Sequence, residues 1–290
     1  MLRIFLIIIG LFSVSLAATP LTDGQLTNTT TTEPLAEPNT QTTPLRIAVA
    51  SNFAPVLEKI LPLFISETAI KTQIISASSG TLFLQIKHGA PFDIFLSADN
   101  IRPQKLLDDN LAVANSLQIY AIGQLAFWSA NNHFSPSNNA SSPLTFLSPL
   151  ATSTDRFAMA NPELAPYGKA AKETLEHLAL WENVKNKVVM GININQTFQQ
   201  VRSKAVNSGL VALSQLKLNN LEGVTIPTSY HQAIEQQLVI IKSSTNVAQA
   251  QQFSAFLLKE STQALISEYG YQAIGQKNIQ NKTDREVSAH

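Results

Sequence analysis

Four stretches stand where a short strand gives way to a helix and polar groups are on offer: Ser51-Asn52, Ser78-Ser79, Asn161-Pro162 to Tyr167-Gly168, and Asn193 to Thr197. Ser51-Asn52 follows the apolar run Leu45–Ala50, and Ser78-Ser79-Gly80 follows Lys71–Ser76. Asn161-Pro162 leads into Tyr167-Gly168, and Asn193 leads through Ile194 to Thr197. A helix start exposes up to four unpaired backbone N–H groups and about half a unit of positive charge. Hydroxyls and amides beside it add hydrogen bonds without a formal charge. Four such junctions could enclose one small anion from two sides. The same residue types are also the ordinary N-caps of helices, whether or not anything binds. Gly80 sharpens the second junction, because a glycine there lets a ligand approach the backbone closely.

Other chemistries find less support. A nucleophile elbow needs G-x-S-x-G, and Ser76-Ala77-Ser78-Ser79-Gly80 lacks the first glycine. His88 lies nine residues beyond Ser79 on the same expected helix, too far along the axis to act as its base. An exported serine hydrolase working through Ser79 is therefore the weaker alternative, and the chain is expected not to be an enzyme. The histidines at 88, 133, 177, 231 and 290 form no i, i+3 or i, i+4 pair, so metal ligation is not expected. No phosphate-loop motif occurs. Asp93 and Asp99 are expected to hold turns. Phe127, Trp128 and Trp181 are expected in the core.

The elements that must position these junctions follow from periodicity. Leu45–Ala50, Lys71–Ser76 and Phe92–Ser97 read as strands, alternating with helices over Phe53–Phe64, Thr81–His88 and Gln104–Asn110. Such short alternation predicts a parallel, doubly wound α/β sheet with binding loops at the carboxyl ends of its strands. A second set begins near Gln124: strands at Leu125–Trp128, Arg156–Ala160, Val188–Met190 and Leu210–Leu213, with helices over Tyr167–Trp181 and Gln196–Val206. Leu238–Ile241 and two helices between Val247 and Tyr269 turn back toward the first set. There is no internal repeat, so two lobes are expected from element count and length.

Composition bounds the class. The chain has 290 residues, 44% of them hydrophobic, with 20 Lys+Arg against 20 Asp+Glu and no cysteine. A net charge of zero leaves no basic field for nucleic acid or an anionic membrane. Without cysteine there are no disulfides, thiolate nucleophiles or lipid attachment at an N-terminal cysteine. Residues 1–18 read as a cleavable signal peptide, a short positive start and an apolar stretch ending in small residues, with the cut after Ala17 or Ala18. Residues 19–44 carry ten Thr and four Pro and no Lys or Arg, and read as a flexible linker. Residues 45–122 with 231–276 form the expected first lobe, 123–230 the second, and 277–290 a polar tail.

The motifs then carry a resemblance. Leu45–Phe53, Ser76–Leu82 with Gln85-Ile86, and Gly89–Asp99 are similar to the periplasmic molybdate-binding proteins of ABC importers. So are Asn161-Pro162 with Ala165–Ala171, Asn193–Thr197 and Gly209–Gln215, in order and spacing from about Leu45 to Ile274. The resemblance implies a two-lobed periplasmic-binding-protein fold of the class II type, with the ligand cleft between the lobes. It implies molybdate or tungstate as ligand, held as an oxyanion with no direct metal ligands and no cofactor. The implied partners are an ABC permease and its ATPase, the implied site the periplasm, and the implied state a monomer. Matched by position, Ser51 and Ser79 would give hydroxyl and backbone hydrogen bonds, Asn52 a further donor, and Tyr167 and Ile194 backbone N–H groups. Some members have Tyr where Ala212 stands here, and Asn52 would take over that share. The alternative ligand is sulfate or another tetrahedral oxyanion. A fully deprotonated dianion wants only donors, whereas monoprotonated phosphate also wants an acceptor.

Overall fold

The computed structural model describes residues 43–130, 147–272 and 274. The signal peptide, almost all of the linker, the polar tail, His133 and His290 lie outside the described residues. Each lobe is built on a five-stranded sheet. In the first the order is β2-β1-β3-β10-β4, using β1 Leu45–Ala50, β2 Thr72–Ala77, β3 Ile94–Leu96, β4 Gln118–Gly123 and β10 Ile234–Ile240. In the second it is β7-β6-β8-β5-β9, using β5 Leu125–Ser129, β6 Phe157–Ala160, β7 Val188–Gly191, β8 Ser208–Ala212 and β9 Val224–Thr225.

The sheets are mixed, which corrects the expectation of purely parallel ones. Strands β2, β1 and β3 run parallel, as do β7, β6 and β8. β10 is antiparallel to β3 and β4, and β5 to β8 and β9. The odd strands arise from the crossings between lobes. β4 of the first sheet is joined to β5 of the second by Gln124 alone, so the chain passes from sheet to sheet without a turn.

Alternation along β1 shows how each sheet is covered on two faces. Leu45, Ile47 and Val49 join the core with Val56, Leu57, Ile60 and Phe64 of α1 (Ala54–Thr68) and Phe253 and Phe256 of α6 (Val247–Leu258). Ala48 joins Leu82 and Ile86 of α2 (Ser79–Lys87), Phe95, and Leu106 of α3 (Ile101–Asp108). In the second lobe, Phe157 and Met159 pack with Ala170, Ala171 and Leu175 of α4 (Pro166–His177). Ala158 packs with Phe198 and Val201 of α5 (Ile194–Arg202). Helix α4 is shorter than the expected Tyr167–Trp181. Ala179 takes a left-handed φ of 54° and breaks it before a separate turn at Trp181–Val184. Likewise α5 ends at Arg202, and Lys204 at φ 61° turns the chain toward β8.

These connections put three helix starts at the lobe boundary: α2 at Ser79, α4 at Pro166 and α5 at Ile194. Each follows a strand of a parallel core, β2, β6 or β7, at its carboxyl end.

Candidate functional site

All five expected residues line one small cavity between the lobes. Its walls are Ala50, Ser51, Asn52, Ser78, Ser79 and Ala98 from the first lobe and Ala165, Pro166, Tyr167 and Ile194 from the second. It is tight, about 10 Å³ of room for the centre of a water molecule. No Lys, Arg, Asp or Glu is among the walls.

What each wall residue does with its hydrogen-bonding groups decides what the cavity can hold. Capping accounts for two junction residues. Ser78 Oγ accepts from the Thr81 N–H at 3.2 Å, and Asn193 Oδ1 accepts from the Gln196 N–H at 2.9 Å. Capping accounts for neither Ser51 nor Ser79. Ser79 Oγ accepts the Ala98 N–H at 2.9 Å, which leaves its own hydrogen to donate. Among the described residues nothing in the chain accepts from the backbone N–H of Asn52, Ser79, Tyr167 or Ile194, or pairs with Ser51 Oγ. Three of those N–H groups belong to first helical turns, where the helix itself supplies no acceptor.

Two expected donors are placed differently. The Ser51 N–H extends the β1–β2 ladder by one step, donating to Ala77 O at 2.9 Å, so Ser51 keeps only its hydroxyl. The Asn52 side chain turns to the boundary between lobes, where Nδ2 donates to Gln236 Oε1 at 3.0 Å and to Tyr271 Oη at 3.1 Å. Both amide hydrogens are thereby engaged, and the donor left to Asn52 is its backbone N–H. Ala212 ends β8; its N–H donates to Gln215 Oε1 at 3.1 Å, while Gln215 Nε2 reaches the Ile194 carbonyl at 3.2 Å. That position braces the start of α5.

Beside the cavity lies a second buried polar cluster that sequence reasoning missed. Gln236 Oε1 accepts from Asn52 Nδ2 and from the Tyr120 hydroxyl at 2.9 Å, and Gln236 Nε2 points at Tyr167 Oη, 3.4 Å away. Tyr120 Oη also lies 3.1 Å from Ser97 O, and the Tyr271 hydroxyl donates to Asn52 O at 3.0 Å. Gly123 makes room for the cluster: a β-carbon there would come within 2.3 Å of the Tyr167 hydroxyl oxygen. Burial drives the phenols upward, Tyr120 and Tyr167 well above their ordinary value and Tyr271 to about 12, so all three stay neutral. One clue was available in the sequence. Glu235, Gln236 and Gln237 interrupt the apolar run of a strand, and Gln236 is fully buried.

Asp93, Asp99 and the bulky aromatics take the structural roles expected of them. Asp93 holds a turn: its carboxylate accepts from the Arg46 N–H and the Ser244 hydroxyl, each at 2.6 Å. Asp99 Oδ1 accepts the Arg102 N–H at the start of α3 at 2.9 Å. Phe127 and Trp128 are buried, and Trp181 packs against the second core. Among the described residues no group of His, Asp and Glu could hold a metal ion.

With the geometry in view, comparison with known proteins is decisive. The family described as bacterial extracellular solute-binding protein matches residues 45–272. The chain belongs to that family. This solute-binding protein is 33% identical over 235 residues to the molybdate-binding protein ModA of Azotobacter vinelandii, covering 80% of this chain and 90% of the relative. It is 33% identical over 226 residues to ModA of Rhodobacter capsulatus, covering 77% and 86%. The solved Azotobacter vinelandii periplasmic molybdate-binding protein superposes with a TM-score of 0.71 at 34% identity, covering 79% of this chain and 98% of that one. The sulfate-binding protein SubI of Mycobacterium tuberculosis superposes with a TM-score of 0.67 at 11% identity, over 83% and 91%, a likeness of fold alone. As a solute-binding protein the chain is a carrier rather than an enzyme.

Proposed function

We propose that this solute-binding protein captures molybdate, with tungstate as a second acceptable guest, and delivers it to the permease of an ABC importer powered by a separate ATPase. It works as a monomer in the periplasm, exported by the signal peptide of residues 1–18. One observation carries the reading: a small cavity between the lobes whose walls, among the described residues, offer neutral donors without a partner in the chain and no charged side chain. In this reading the anion accepts from the hydroxyls of Ser51 and Ser79 and from the backbone N–H groups of Asn52, Ser79, Tyr167 and Ile194.

Molybdate at neutral pH is a dianion with four acceptor oxygens and no proton, so each oxygen can take a donor and no wall group need accept. Fixed dipoles in a dry site replace its water without the desolvation cost of a buried counter-charge. Hydrogen phosphate would bring a proton into a cavity whose walls hold no carboxylate. Sulfate has the same charge and shape in a smaller body, so selection between the two is made by size. The donors come from both lobes, so only the closed arrangement satisfies the anion, and binding shifts the hinge equilibrium toward it. Calorimetric titration of the full chain with molybdate, tungstate, sulfate and phosphate tests the reading. Heat of binding for the first two is expected, and none for phosphate. Sulfate binding more tightly than molybdate would overturn the ligand assignment.

A further inference from the structure

Outside the anion cavity, the lobes meet along a seam of different chemistry. The loop of residues 161–166 serves both. Its end carries the Tyr167 N–H at the cavity, while its middle turns two carbonyl oxygens toward the first lobe. The Gly80 N–H donates to Leu164 O at 2.9 Å, and Arg102 Nη2 donates to Glu163 O at 2.9 Å. Arg102 is aimed by an ion pair with Asp99, its neighbour three residues back, and its side chain is 19% exposed. The loop is pinned from its own side: the Asn161 N–H donates to Gly191 O at 2.8 Å, and Asn161 Oδ1 accepts the Glu163 N–H at 2.9 Å. Two preorganised surfaces therefore meet in a two-point contact.

Gly80 fits this contact tightly. A β-carbon there would lie 2.9 Å from Leu164 O, 3.0 Å from Leu164 Cα and 3.1 Å from Arg102 Nη2. It lines not the anion cavity but an outer groove along the seam, walled by Arg102 and Lys105 of the first lobe and Leu164 and Lys169 of the second, and what closely approaches its backbone is the opposite lobe, not a guest. This revises the sequence-based reason for a glycine at that junction.

We infer that Gly80 and Arg102 form a clasp that sets how long the closed state lasts, and hence the release rate of the solute, without touching the solute. The inference rests on the solute-binding reading for the solute and on the lobe contact alone for the clasp. Opening the cleft breaks both hydrogen bonds, and their partners return to water. A charge-assisted bond to a carbonyl is the stronger of the two and carries more of the effect. The planar guanidinium can hold the Asp99 carboxylate and the Glu163 carbonyl at once, which an ammonium does less well, so Arg102→Lys should fall between wild type and Arg102→Ala. Gly80→Ala separates the clasp from simple damage. Gly80 sits in the first turn of α2 without a left-handed φ, where alanine favours the helix, yet the added methyl wedges the seam.

The test uses the full chain with stopped-flow release of molybdate, thermal unfolding without ligand, and a spin-label distance between the lobes. The labels go on Lys59→Cys and Glu182→Cys, both exposed, in a chain with no cysteine of its own. Arg102→Ala should release molybdate about tenfold faster. Gly80→Ala should also speed release while its ligand-free unfolding temperature stays level or rises. Both should lengthen the inter-label distance. Release rates and distances equal to wild type in both variants would overturn the clasp. If the unaltered protein binds no oxyanion, the solute reading fails, and the distances in wild type and the two variants still decide the clasp.

Discussion

The cavity proposed for the anion and the adjoining phenol cluster are made of the same materials, neutral polar groups buried where the lobes meet, yet they balance differently. Around Gln236, donors and acceptors answer one another: Asn52 Nδ2, Gln236 Oε1, the hydroxyls of Tyr120 and Tyr271, and Asn52 O are all engaged. Around Ser79, donors outnumber acceptors. A balanced cluster is complete in itself and acts as scaffold, since buried polar groups are costly only when left unpaired. A cluster of surplus donors has its balance completed by a guest that only accepts. In the proposed reading that contrast separates structural from binding groups more sharply than residue type does, for Ser, Asn and Tyr occur in both.

Substitutions can break the contrast or sharpen it. Gln236→Leu should have the largest effect, lowering unfolding free energy by about 2–4 kcal/mol because Asn52 and Tyr120 lose a buried partner; chemical denaturation measures it. Ser51→Ala should do the opposite. Its hydroxyl pairs with nothing in the chain, so ligand-free unfolding should stay near wild type while calorimetry shows molybdate affinity down by about 1–3 kcal/mol. Ser79→Ala lies between the two. It loses the same sort of hydrogen bond to the anion and also strands the Ala98 N–H, so affinity falls as for Ser51→Ala and ligand-free stability by about 1 kcal/mol.

Titration gives the smallest effects near neutrality. Tyr271 has a folded value of about 12 against an ordinary 10, so the folded state holds its proton more tightly. The stability this contributes is fully present below pH 10 and declines as pH rises toward 12. The slope is about 1.4 kcal/mol per pH unit for each such phenol. His231 works on the acid side. Burial lowers its value, so stability declines as pH falls below about 6.5, where the unfolded chain takes up the proton first. Denaturation midpoints should be level between pH 7 and 9, a range in which neither group changes state.

Much of the cavity was legible in the sequence because its parts are local. A strand, a short polar loop and a helix start lie within ten residues of one another at Ser51, Ser79 and Ile194, and the family spacing aligns them. What was hidden depends on distant partners. Asn52 meets Gln236 across 184 residues and Tyr271 across 219, and no local pattern announces that its amide is occupied there. The same applies to Gly80, whose neighbour is the Leu164 backbone of the other lobe. Strand β4 went unread because it runs through Gln124 into β5 without the turn residues that mark a strand's end. The antiparallel strands were missed for a related reason: alternation of strand and helix says how neighbours connect, and not what a chain returning from the second lobe will pair with.

The cavity and the outer groove at the lobe seam offer a guest two different homes, and a crystal structure of the full chain with molybdate distinguishes them most directly. The expected result is an anion whose oxygens lie about 2.7–3.1 Å from Ser51 Oγ, Ser79 Oγ and the N–H groups of Asn52, Ser79, Tyr167 and Ile194, with no charged side chain in contact. An anion seated instead in the outer groove against Arg102, Lys105 or Lys169 would contradict the account.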